Sequence, residues 1–159
     1  MRNLTEAITN SPIFRGMKPE HLALLEALAE DATEVEFKPG EVIFREGDPA
    51  NQVFLIESGG ITLEAHEPGA GTVPVETLTA GQVFGWSWLF PPFAWHFHAR
   101  ASDRTRVIAL SGARLLVTAE KNPEFGYELM KRMAQVAIRR LQSTRRQLVA
   151  ARSEPAGKA

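Results

Sequence analysis

The run from Phe37 to Leu63, FKPGEVIFREGDPANQVFLIESGGITL, is cut at short intervals by Pro39-Gly40, Glu46-Gly47-Asp48-Pro49 and Ser58-Gly59-Gly60. Proline presets one backbone angle and glycine accepts a positive φ, so each group marks a place where the chain turns. Between and beyond these turns the pattern is one of short β segments. Strands are predicted at Thr33–Phe37, Val42–Arg45, Val53–Glu57, Gly60–His66, Val73–Leu78, Phe97–Ser102 and Arg106–Leu110. Strands this short at this regular spacing predict an antiparallel barrel or sandwich.

Helices are predicted on both sides of this region. Residues 4–30 read as short helices, with Asn10-Ser11-Pro12 as a break and Pro19 in the first turn of HLALLEALAE. Leu22, Leu25 and Leu28 recur at helical spacing and give one buried stripe. After Leu110, SGARLLVTAEKN is a short helix with Ser111 as its predicted cap. Asn122 and Pro123 then open a helix of nearly thirty residues. Phe125, Leu129, Met133 and Val136 form one apolar stripe on it. A second, rotated stripe holds Tyr127, Ala134, Ile138, Leu141 and Leu148. Two stripes need two surfaces: the β region, and a second copy of the helix. Ala134, Ile138, Leu141 and Leu148 are therefore the expected dimer interface. The expected organisation is an N-terminal helical segment (1–31), a β region (32–110), C-terminal helices (111–152) and a disordered small, polar tail (153–159).

Composition narrows the function. A chain of 159 residues with 44% hydrophobic residues and a formal net charge of −1 reads as one soluble globular domain. Such a charge gives no whole-molecule attraction to nucleic acid. With no cysteine there is neither disulfide nor thiolate metal site. No window is apolar enough to span a membrane, and MRNLTEAITN lacks the basic start and apolar run of a signal peptide; a cytoplasmic location is expected.

Pro39-Gly40-Glu41, Gly47-Asp48 and Phe54-x-Ile56 leading to Gly59-x-Ile61 closely resemble the first half of the cyclic-nucleotide-binding domain, the β-roll of the catabolite activator and of kinase regulatory subunits. SPIFRGMKPEHLALLEALA resembles the family's entry helices, and TLTAGQVFGW its approach to the phosphate cassette. The resemblance covers about residues 10–150. It implies a mainly β fold with flanking helices (α+β): an antiparallel double-stranded β-helix or jelly-roll barrel. It implies also a regulatory, non-enzymatic role. The family's transcription factors carry a winged helix-turn-helix beyond the long helix. About ten residues follow the helix here, so no direct sequence-specific DNA binding is expected.

The resemblance implies that the cassette holds a cyclic phosphate with backbone amides and one arginine, and that a glutamate after the Phe-Gly pair accepts from the ribose hydroxyl. Here Phe84-Gly85 is followed by Trp86. Counting back from Arg100-Ala101, the arginine position falls on Trp95 and its neighbour on His96, and no arginine lies between Gly81 and Ala99. A lost charge-assisted contact is worth about 1.5–3 kcal/mol, and with the missing ribose acceptor the weakening is roughly 100-fold or more. The residues therefore disfavour cAMP and cGMP, and no cofactor is expected.

The candidate ligand-binding residues are Phe84, Gly85, Trp86, Ser87, Trp88, Trp95, His96 and His98. Two readings of this aromatic cluster stay open. The rings fill a vestigial pocket, or they rebuild it for a flat or cationic ligand. His96 and His98 flank Phe97, so on a strand both imidazoles would share one face. Two histidines are too few for a tetrahedral metal site, and none is assigned. Lys131, Arg132, Arg139, Arg140, Arg145 and Arg146 read as solvated faces of the last helix. No nucleophile–base set, metal cluster or phosphate loop points to catalysis. The expectation is a stand-alone sensing module that binds an unknown small molecule, dimerises through its long helix and acts on a protein partner. A divergent nucleotide site using cassette amides and His96, and a ligand-free scaffold, are the alternatives.

Overall fold

The computed structural model describes residues 4–86 and 93–153. In chain order the elements are α1 (Leu4–Thr9), α2 (Pro19–Ala29), β1 (Thr33–Phe37), β2 (Val42–Phe44), β3 (Gln52–Ser58), β4 (Gly60–Glu67), β5 (Gly71–Thr79), β6 (Val83–Phe84), β7 (His98–Ala101), β8 (Thr105–Ser111), α3 (Gly112–Lys121) and α4 (Pro123–Arg152). The strands form two antiparallel four-stranded sheets, ordered β1-β8-β3-β6 and β2-β7-β4-β5. The predicted α+β architecture, a β-roll flanked by helices at both ends, is the architecture observed, built as two sheets rather than a closed barrel.

Strand β3 shows how the sequence makes two cores from one sheet. Its run QVFLIES is apolar at four consecutive positions, and successive side chains on a strand point to opposite faces. Phe54 and Ile56 face the other sheet and pack with Ile61, Leu63, Leu78 and Phe84. Val53 and Leu55 face the helices and pack with Phe14, Leu25, Leu115, Phe125 and Leu129. Strand β8 repeats the division, with Val107 and Ala109 inside the roll and Ile108 and Leu110 under the helices. A fully buried side chain of this size contributes about 1.5–3 kcal/mol, so both cores are substantial.

The turns fall where proline and glycine were read. At Gly59 φ is +89°, and a Cβ there would lie 2.3 Å from the Arg104 carbonyl oxygen. Only glycine satisfies both the angle and the space. Beside it the buried Thr105 hydroxyl donates to the Gly60 carbonyl at 2.9 Å and accepts from the Gly60 N–H at 3.1 Å. One side chain thus ties the β3–β4 turn to the start of β8.

Ser111 accepts from the Arg114 N–H at 3.2 Å and caps α3 as predicted. Asn122 does not cap α4. Its side-chain amide donates to the Thr118 carbonyl at 2.9 Å, closing α3 instead. Phe125, Leu129 and Met133 on α4 are buried, whereas the second stripe faces solvent: Ile138, Leu141 and Leu148 are 54%, 69% and 53% exposed. Among the described residues no helix is long and apolar enough to cross a membrane.

Candidate functional site

The interior of the roll ends in a stack of aromatic rings. Trp95 lies flat on Phe44, with ring centroids 3.9 Å apart and 9° between planes, and Phe54 stacks on Phe84 at 4.9 Å and 18°. Trp95 is 4% exposed. Its position is set by the neighbouring turn that follows β2, which pairs with β7 in the same sheet. The Trp95 N–H donates to the Asp48 carbonyl and the Gly47 N–H donates to the Trp95 carbonyl, both at 2.9 Å. The Gly47-Asp48 turn, part of the family-like first half, therefore holds the tryptophan that stands at the position the resemblance gives to arginine.

Gly85 is required by this packing. Its φ is +98°, and a Cβ there would lie 2.7 Å from the Gln52 carbonyl oxygen and 3.3 Å from Trp95 Cη2. The chain must approach the ring closely before it turns toward Trp86. Phe93 has φ of 58°, the only positive value at a non-glycine position among the described residues, and its carbonyl accepts from the Ala50 N–H at 2.8 Å. A bulky residue held in that region marks local strain of about 1–2 kcal/mol beside the site.

A cavity of about 210 Å³ remains, lined by Phe44, Leu63, Phe84, Gly85, Trp86, Trp95, His96, Phe97 and Arg140. It exceeds the 150 Å³ that admits benzene and falls short of the roughly 300 Å³ at which drug-sized pockets begin. A larger groove of about 850 Å³ runs between α4 and the β5–β6 turn, and Glu76, Lys131, Arg139 and Arg146 line it. Arg140 lines both.

Of the predicted ligand residues, Phe84, Gly85, Trp86, Trp95 and His96 come together at the smaller cavity. Ser87 and Trp88 lie outside the described residues. His98 is elsewhere. Strand β7 begins only at His98, with His96 and Phe97 in a bend, so the expected alternation of the two imidazoles on one strand face does not occur. The His98 Nδ1 accepts from the Glu46 N–H at 3.2 Å, which fixes the ring against the neighbouring turn. Arg100 also points away, pairing with Glu64 at 3.2 Å and donating to the Gly40 carbonyl at 2.9 Å. Among the described residues no group of three or more His, Asp or Glu side chains is arranged to hold a metal.

Phe44, Leu63, Phe97 and Arg140 line the cavity without having been predicted, and Arg140 is the charged one among them. One of its terminal nitrogens donates to the Val83 carbonyl, while its buried Nε has no hydrogen-bond partner among the described residues. Burial works against the Arg140 charge and Glu76 opposes that effect; burial likewise holds the Glu76 carboxyl above the usual carboxylate range, with Arg140 pulling it back. The available signal was positional. Arg140 continues the apolar stripe of Phe125, Leu129, Met133 and Val136 by one more helical step.

Two antiparallel sheets around an apolar interior, with helices before and after them and one long C-terminal helix, define a β-roll with flanking helices. Residues 34–122 match the cyclic nucleotide-binding domain family, and the chain belongs to it. It is 24% identical over 145 residues to the CRP-like cAMP-activated global transcriptional regulator of Mycobacterium tuberculosis, covering 91% of this chain and 62% of that protein. The chain thus spans less than two thirds of that curated relative. Among solved structures it is similar to a Geobacter metallireducens GS-15 protein of the cyclic nucleotide-binding class, at TM-score 0.74 and 30% identity, covering 86% of this chain and 97% of that one. It is also similar to the Thermus thermophilus catabolite activator protein, at TM-score 0.67 and 26% identity, covering 89% and 63% of the two chains. The Mycobacterium and Thermus proteins are regulators, which points to a regulatory domain and away from an enzyme.

Proposed function

We propose that this domain senses a small ligand other than cAMP or cGMP in its β-roll, and that two copies associate through α4. In this reading it works without catalysis, in the cytoplasm, by presenting α4 differently to a protein partner when the roll is occupied. The observation that carries the proposal is the indole of Trp95, stacked on Phe44 at 3.9 Å at the position assigned to the phosphate-gripping arginine. An apolar ring offers a phosphodiester no hydrogen bond and no charge, and the guanidinium that does line the cavity, Arg140, enters from α4 rather than from the cassette and donates to the Val83 carbonyl. The volume left beside it favours a ligand of one or two rings over a nucleotide.

A second reading has its own support. The same stack fills much of the roll interior, which suits a scaffold that binds nothing there. Titration separates the readings, because Trp86 and Trp95 line the cavity and report on it through their emission. cAMP and cGMP at millimolar concentration are expected to leave emission and melting temperature unchanged. A ligand present at 100 times its Kd raises stability by about 2.7 kcal/mol, which a melt resolves. Saturable quenching by micromolar cAMP overturns the proposal and supports a divergent nucleotide site built on cassette amides and His96. No response across a broad panel of small metabolites leaves the scaffold reading in its place.

Association through α4 is tested separately. Tyr127, Ala134, Leu141 and Leu148 recur every seven residues with Ile138 between them, the spacing of a two-helix seam. Leu141→Glu or Ile138→Glu is expected to give monomers by sedimentation, and an unchanged mass distribution removes the seam from the proposal.

A further inference from the structure

Arg140 is the only helix residue, and the only permanently charged one, among the described residues that line the smaller cavity. Its guanidinium carries five N–H donors and no acceptor. Its one hydrogen bond among the described residues goes to the Val83 carbonyl, and its buried Nε has none. No carboxylate among the described residues forms a salt bridge with it, unlike Arg100, Arg106, Arg114 and Arg132. Glu76 is the carboxylate whose charge reaches Arg140, but it makes no salt bridge with it and burial holds its own carboxyl toward the neutral form. A largely buried guanidinium so placed is costly, and an anion that completes its hydrogen bonds relieves that cost. The rest of the cavity wall is ring and hydrocarbon: Phe44, Leu63, Phe84, Trp86, Trp95 and Phe97.

We infer that this cavity takes a small aromatic carboxylate, its ring among the aromatic side chains and its carboxylate on the Arg140 guanidinium. The assignment rests on the proposal above that the roll holds a ligand other than a cyclic nucleotide. It moves the site's positive charge from the cassette, where Trp95 stands, to the long helix. Volume limits the ligand: about 210 Å³ suits a single ring or a compact bicycle. The same arginine gives the site its output. An arriving carboxylate competes with the Val83 carbonyl for the guanidinium, so occupancy changes how α4 is fastened to β6. Ile138 lies two residues before Arg140, about 200° around the helix at 3.6 residues per turn. One rigid helix therefore carries the ligand contact on one side and the exposed apolar stripe on the other.

The test pairs acids with neutral amides of nearly the same shape: benzoate against benzamide, and indole-3-acetate against indole-3-acetamide, titrated calorimetrically into the full chain. The acid of at least one pair is expected to bind about 10- to 100-fold more tightly than its amide. Arg140→Gln is expected to erase that preference while leaving amide binding in place, and Arg140→Lys to retain part of it. Far-UV circular dichroism checks that both variants are folded, and the acid–amide ratio of the unaltered protein stands without them. Equal binding of acid and amide, or a preference that survives Arg140→Gln, overturns the arginine assignment and leaves the pocket. Binding of none of the four probes overturns the assignment together with the cavity's role as an aromatic ligand site.

Discussion

Residues 37–63 and residues 81–101 meet in the same roll, yet they differ in what holds them to the family pattern. The first stretch keeps its prolines and glycines because the backbone needs them. A Cβ at Gly59 would lie 2.3 Å from a carbonyl oxygen, at a φ of +89°. The second keeps Gly85 for the same reason, a Cβ there lying 2.7 Å from the Gln52 carbonyl oxygen, and in the proposed reading departs at the side chains that would meet a ligand. In the reading proposed above, Trp86 takes the place of a carboxylate that would receive a ribose hydroxyl, and Trp95 that of a guanidinium that would receive a phosphate. Backbone constraints survive a change of ligand, whereas side-chain constraints last only as long as the ligand they serve. The hydrogen bonds from Gly47 and to Asp48 that seat Trp95 show how the conserved-looking half supports the altered one.

Four substitutions sharpen or break this comparison. Trp95→Ala has the largest expected effect, a loss of about 3–5 kcal/mol by chemical denaturation, because the indole fills the roll between Phe44 and Gly85. A loss under 1 kcal/mol would mean that the ring is a passenger and the interior is held elsewhere. Gly59→Ala comes next at about 2–5 kcal/mol, combining a strained φ with a clash against backbone that cannot give way. Were it tolerated without cost, the first half would not be fixed by its turns. Thr105→Val keeps shape and removes the hydroxyl that both polar groups of Gly60 use; it should cost about 1–3 kcal/mol. The smallest effect concerns Glu76, whose folded carboxyl is held above its ordinary value by burial, against the pull of Arg140. The folded state then binds the proton more tightly than the unfolded chain. Stability associated with this group is full below the ordinary carboxylate range and is lost as pH rises through the raised value. Glu76→Gln is expected to flatten that fall in melting temperature across the mildly acidic range; an unaltered pH profile would show that the carboxyl does not feel its burial.

Much of the fold was legible because turn chemistry and apolar spacing are local. β1 took its predicted span, and β3, β4, β5, β7 and β8 fell within about two residues of theirs. β6 was not read: Val83–Phe84 is only two residues long, and its pairing with Leu55 and Phe54 is a long-range event with no periodicity of its own. Asn122 shows a similar limit, since a good capping residue between two helices can serve either one. At the site, Phe84, Gly85, Trp86, Trp95 and His96 were legible as a cluster because they are close in sequence. Phe44 and Leu63 were not, because the roll brings them in from the other half. Arg140 was read with the other basic residues of α4 as a solvated face. Charge suggested exterior and spacing suggested interior, and spacing described its place.

The two-faced burial of β3 limits how such a domain can change over time. Deleting or adding one residue within Val53–Ile56 would exchange the two linings, sending Phe54 toward the helices and Val53 among the rings. No partial version of that error is tolerable, so the strand is closed to length variation. Novelty in what the roll recognises must then come from residue exchange at fixed length there, and from the connections that enter and leave it. A designer seeking a new specificity on this scaffold has the same permissions: alter Trp95, its neighbours and the inward side of α4, and leave the strand behind them at its present length.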